Sequence, residues 1–133
     1  MKTLEISTSA RCELVDITDS VNALIPGNIT HGVCHIYSPH TTAGLTVNEN
    51  ADPAVKHDLL TKLTKLIPQH EPYYAHDEGN SDAHLKASLM GFSLCLPICD
   101  GRLALGVWQG VYFCEFDGPR SRKVQLTFLP AQA

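Results

Sequence analysis

The chain has 133 residues, 44% of them hydrophobic and 18% charged, with a formal charge of −4. That is enough for one domain with a core of its own, so neither disulfides nor a structural metal is needed to hold it together. The acidic balance and the lack of a basic stripe argue against non-specific nucleic-acid binding. No apolar run approaches the roughly 20 residues of a membrane span.

Five cysteines, Cys12, Cys34, Cys95, Cys99 and Cys114, form no CxxC pair. An odd number without that spacing argues against a disulfide framework and against a zinc ribbon. Cys34, Cys95 and Cys99 sit in apolar runs and read as small core side chains. The N-terminal stretch alternates like a strand and lacks a signal-peptide core, so a cytoplasmic protein is expected.

Residues 2–8 and 12–17 alternate polar and apolar side chains and predict two paired strands. Thr18-Asp19-Ser20 then opens a short helix that Pro26-Gly27 ends. A strand over 29–37 places His31 and His35 on one side, which reads as a partly solvated sheet face. Ser38 to Gly44 interrupts the pattern with His40 on a turn, and a strand follows to Glu49. His40, Thr41, Thr42, Asn48 and Glu49 give unusual polar density between two strands; a hydrogen-bonded turn would use the threonines equally well.

Asp52-Pro53 predicts a helix start, with Asp at N-cap and Pro at N1. Val55, Leu59, Leu63, Leu66 and Ile67 then recur at helical spacing until Pro68, so this is expected to be the principal helix with a core-facing stripe. The segment from His76 to His84, HDEGNSDAH, brings two imidazoles, several acids, a glycine and helix-capping residues to the start of a further helix ending near Gly91. Neutral imidazole suits zinc, while exposed N–H groups at a helix start suit phosphate.

A strand over 92–99 carries Pro97, and Asp100-Gly101 predicts a type I′ hairpin turn. One long returning strand, 102–116, is expected to place Gln109 and Glu115 on an otherwise apolar face, where a buried amide and carboxylate need partners. A final alternating strand covers 123–129. Arg120, Arg122 and Lys123 beside it read as guards of a strand end rather than phosphate ligands. The expectation is a single domain over 1–133 of α+β class: a two-sheet, mostly antiparallel β-sandwich of about seven strands with two to three helices.

HTTAGLTVNENADPAV from His40, HDEGNSDAHLKASLMG from His76, DGRLALGVWQG from Asp100 and EFDGPR from Glu115 resemble the signature blocks of the YjbQ family, in order and over nearly the whole chain. The resemblance implies a two-sheet sandwich assembled as a homotrimer and a secondary thiamine-phosphate synthase activity. That reaction would join hydroxymethylpyrimidine diphosphate to thiazole phosphate and release pyrophosphate. On this reading a phosphorylated small molecule meets Thr41, Thr42, Asn48, Asn80 and Ser81, Arg120 clamps phosphate, and Glu49, Glu115 and Gln109 complete the catalytic set. Close approach between protomers would account for Gly106 and Gly110.

A divalent metal, zinc or magnesium, is expected on His40, His76 and His84, because three imidazoles with an open position make a catalytic pattern. The plain alternative is three polar histidines in a hydrogen-bonded cleft. One objection stands against phosphate: Asp77, Glu78 and Asp82 would repel it. Two further functions stay open, a metal-dependent hydrolase of another substrate and a non-enzymatic trimer that binds a metal or metabolite.

Overall fold

The computed structural model describes residues 1–132. Eight strands form two antiparallel sheets, and three helices complete the fold. The larger sheet has the order β1 (Lys2–Ser7), β8 (Ser121–Pro130), β3 (Gly32–Tyr37), β5 (Ser93–Cys99), β6 (Arg102–Leu103). The smaller runs β2 (Glu13–Asp16), β7 (Gln109–Glu115), β4 (Ala43–Glu49).

The smaller sheet is the middle layer. Its inner face sets Leu45, Val111 and Phe113 against Ile36, Val124 and Leu126 of the larger sheet, in one apolar cluster. Leu14, Tyr112 and Cys114 cluster instead with Leu63 of α2 (Pro53–Leu66) and with Ala83 and Ala87 of α3 (Ser81–Met90). Every β7 residue after Gln109 is therefore buried, and the alternation its sequence suggests has no open side. Gly44 lets α3 lie this close: a Cβ there would stand 2.6 Å from the Gly91 carbonyl oxygen, which accepts from the Leu45 N–H at 3.0 Å.

Asp52 caps α2 as expected, its side chain accepting from the Ala54 N–H at 2.9 Å with Pro53 behind it. The apolar stripe of α2 is less buried than its spacing predicts. Only Leu63 is fully covered and Leu66 remains 60% exposed, so α3 is the more deeply packed helix. Asp100 and Gly101 make the expected turn with φ of 52° and 77°.

The single strand expected over 102–116 is two, because 104–108 turn away and Val107 and Trp108 point into solvent. Cys95 and Cys99 also depart from expectation. They lie on the outer face of the larger sheet and are exposed, whereas Cys34 and Cys114 are buried. Gly110 has a reason within the chain, since a Cβ would come 2.5 Å from Nδ2 of Asn50.

Candidate functional site

A cleft of about 350 Å³ opens where the turn before β4, the N-terminus of α3 and the β7–β8 connection meet. His40, Thr41, Thr42, Asn80, His84 and Arg120, all singled out from the sequence, line it together with Glu78, Asp117 and Arg122. The turn that carries His40 is held by Ser38, whose hydroxyl donates to the Ala43 carbonyl at 2.8 Å.

Beneath the cleft lies a buried ion pair. Glu115 is fully buried and Arg122 is 5% exposed. Arg122 donates through Nε at 2.8 Å and Nη2 at 2.5 Å to the two carboxylate oxygens, a bidentate pairing, and Nη2 also reaches Thr42 Oγ1 at 2.8 Å. Thr8 and the N–H groups of Phe116 and Asp117 complete the carboxylate's shell. Burial pushes the Glu115 carboxyl up, but bonds from Arg122, the Asp117 amide and Thr8 outweigh it and hold the group below the usual carboxylate range. A carboxylate with its lone pairs filled is a poor proton carrier. The geometry suits Glu115 to holding Arg122 in place better than to the catalytic role expected of it.

Arg122 was the residue sequence reasoning undervalued. Its parity gives it away, since it shares the inward face of β8 with Val124 and Leu126.

Asn80 precedes α3 but its side chain does not cap the helix; Nδ2 donates to Asp117 Oδ2 at 2.8 Å. That bond orients the amide and leaves its buried Oδ1 without a partner among the described residues. Arg120 grips the same turn, with Nε donating to the Asp117 carbonyl at 2.9 Å and Nη2 to Asp117 Oδ2 at 3.1 Å, and stays half exposed. Asp82, on the first turn of α3, faces inward and is wholly buried. Its oxygens accept two bonds from Arg11, at 2.9 and 3.1 Å, and one from Lys86 at 2.9 Å. Burial raises this carboxyl, and the bonds from Arg11 and Lys86 lower it further than burial raises it.

The three histidines do not converge on one point. His76 and His84 stand edge to face with ring centroids 5.3 Å apart, and His76 Nε2 is 3.7 Å from Glu78 Oε2. His40 is engaged elsewhere: its Nε2 lies 3.1 Å from both the backbone N and O of Lys123. Burial first, and the Arg122 charge second, lower its proton affinity. For a divalent ion, His84 and Glu78 line the cleft and His76 lines the grooves beside it; their ligand atoms do not lie within 4.8 Å of one another, so these side chains would have to turn to share an ion. His40 would have to leave Lys123 to join them.

Asn48, Glu49 and Gln109 stand apart. Strand register pairs Ala43 with Glu115 but Glu49 with Gln109. Six residues of strand put those ends about 20 Å from each other. There the three close local turns: Gln109 Oε1 accepts from Gly106, Glu49 Oε2 from Asp52 and Asn48 Oδ1 from Glu49. Shared strand faces and the family resemblance join them to the cleft in sequence, but they stand at the opposite end of β4 and β7 from it. Ser81 lines two neighbouring grooves beside His76, of about 460 and 450 Å³, rather than the cleft itself.

Fold and cleft together define a class: two stacked antiparallel sheets whose middle layer carries helices and a polar, histidine-lined opening at one end. The family model described as UPF0047 protein YjbQ-like matches residues 2–131, and the chain belongs to that family. It is 51% identical over 123 residues to UPF0047 protein YugU of Bacillus subtilis, covering 92% of this chain and 93% of the relative. Identity to UPF0047 protein MJ1081 of Methanocaldococcus jannaschii is 52% over 120 residues, covering 90% and 86%. A crystal structure of an uncharacterized member from Clostridium acetobutylicum superposes with a TM-score of 0.93 at 46% identity, covering 97% of this chain and all of that one.

Proposed function

We propose that the cleft binds the phosphate groups of a small organic ligand and that the protein is a cytoplasmic, homotrimeric transferase of the thiamine-phosphate synthase type. The observation that carries this reading is the convergence of Arg120, Thr41, two imidazoles and the uncapped start of α3 on one cleft. In the proposed reaction the bond between the pyrimidine's methylene carbon and the diphosphate oxygen breaks. A carbon–nitrogen bond forms to the thiazole ring, and pyrophosphate leaves with the electron pair of the broken bond.

Arg120 and the first turn of α3 would meet the developing charge, and His84 would act on a proton near the leaving oxygen, with His40 remaining on Lys123 in the cleft wall. Glu115 fixes Arg122, which fixes Thr42. A divalent ion, zinc or magnesium, would sit on His76 and His84 with Glu78 near and would neutralise charge on the leaving group. Exposed Val107 and Trp108, with Tyr37 and Leu129 on the open face of the larger sheet, supply apolar surface for self-association.

The test is calorimetric titration with inorganic pyrophosphate beside a product assay on the two phosphorylated precursors. Arg120→Ala is expected to weaken pyrophosphate at least tenfold, as the loss of a charge-assisted bond of about 1.5–3 kcal/mol implies. A steady rate of product above a His76→Ala/His84→Ala control supports the transferase. Pyrophosphate binding without product moves the reading to a hydrolase of a different phosphorylated substrate, a second reading that the His76–Glu78 approach favours. Binding untouched by Arg120→Ala removes the phosphate site.

A further inference from the structure

At the far end of β3 from His40, three side chains of different chemistry face one another. His31 precedes β3, and Cys99 and Asp100 end β5 and begin its hairpin turn. Their ligand atoms, one imidazole nitrogen, one thiol sulfur and one carboxylate oxygen, all lie within 4.8 Å of one another. His31 Nε2 is 4.0 Å from Asp100 Oδ1. Six residues of β3 separate this cluster from the Tyr37 end, about 20 Å away.

The backbone beneath the three is fixed from several sides. Gly32 pairs with Ile98, Gly101 N donates to the Thr30 carbonyl at 2.9 Å, and Ala131 N donates to the His31 carbonyl at 2.9 Å. The turn itself needs Asp100 at φ 52°, which Asp and Asn tolerate better than most residues. Only side-chain torsions are free. In a tetrahedral site with bonds of about 2.0–2.3 Å, ligand atoms stand roughly 3.4–3.7 Å apart. Closing from the present spacing takes about 1 Å of movement at exposed tips, with no change of backbone.

We propose that His31, Cys99 and Asp100 form a surface site for one borderline divalent ion of the zinc class, with water in the fourth position. A thiolate, an imidazole and a carboxylate suit zinc or cobalt(II), whereas magnesium and calcium prefer oxygen throughout. The site is independent of the cleft and uses none of its residues. It also gives the exposed Cys99 a role that its neighbour on the same face, Cys95, lacks: Cys95 pairs across the sheet with His35 and belongs to no such group among the described residues.

The experiment is a titration of the reduced, tag-free full chain with cobalt(II), followed by absorption and then by zinc displacement. One cobalt per chain is expected, with a sulfur-to-metal charge-transfer band that zinc abolishes. Cys99→Ser removes the band, His31→Ala weakens binding at least tenfold, and Asp100→Asn, which keeps the turn, weakens it severalfold. Cys95→Ser and the His76→Ala/His84→Ala pair retain the band. No band in the parent chain, a band that survives Cys99→Ser, or one lost with Cys95→Ser would each overturn the proposal.

Discussion

Glu115→Gln separates a positioning carboxylate from a catalytic one. The side chain keeps its shape, but Arg122 becomes a buried cation facing a neutral amide, with Thr42 its remaining partner in the cleft wall. Removing one partner of a buried pair costs about 3–5 kcal/mol, most of it the penalty on the charge left behind. With an unfolding entropy of about 2.1 cal/mol/K per residue, that loss lowers Tm by roughly 10–18 °C in a chain of this length. Thermal unfolding at fixed protein concentration measures it directly. In the double variant Glu115→Gln/Arg122→Met no buried charge remains at this site, so at least half of the lost stability should return. The reasoning is refuted if Glu115→Gln melts within a degree or two of the parent while pyrophosphate binding or turnover disappears. That pattern would mean that Glu115 acts on the ligand itself.

Two further outcomes test burial and charge elsewhere. Cys95 and Cys99 should react with a thiol reagent in the folded protein, while burial pushes the thiols of Cys34 and Cys114 up to about 11 and about 12, so these react only on unfolding. His40 binds its proton less tightly in the fold than in the unfolded chain, so its contribution to stability is complete above the ordinary value of 6.5 and is lost as pH falls through it towards the lower native value. Glu115 and Asp82, held below the carboxylate range, add a second loss at lower pH. Urea midpoints followed downward in pH should therefore fall in two stages, and His40→Gln should remove the upper one.

The elements were legible wherever one residue type forces a backbone. Asp52-Pro53 opens α2, Asp100-Gly101 makes the hairpin, and the alternation of β8 holds from Ser121 to Leu126. The cleft was legible as a set of residue types but not as a membership list. His40, Asn80, His84 and Arg120 come together because sheet pairing and α3 docking are long-range, and local spacing says nothing of them. Gln109 failed for a definite reason: it shares a strand face with Glu115, and face parity says nothing of the length of β7, which holds the two at opposite ends of the sheet. Cys95 and Cys99 failed because hydrophobic neighbours on a strand report on only one face. Leu94, Leu96 and Ile98 turn inward, and the cysteines between them do not.

An acidic segment at a phosphate site is a contradiction only while its charges face the ligand. Asp82 does not, being buried between Arg11 and Lys86, and Asp117 is matched by Arg120. Glu78 is the acid left to oppose an anion from the cleft wall, and its carboxylate is 68% exposed. An exposed charge of this kind is worth up to about 1 kcal/mol, so Glu78→Gln should tighten metal-free pyrophosphate roughly two- to fivefold. With magnesium present the sign should reverse if the proposed ion uses Glu78, because the variant then loses a ligand oxygen. Calorimetry with and without magnesium reads both cases. The same tightening in both would place any metal away from Glu78 and leave the His76–His84 pair to hold it alone.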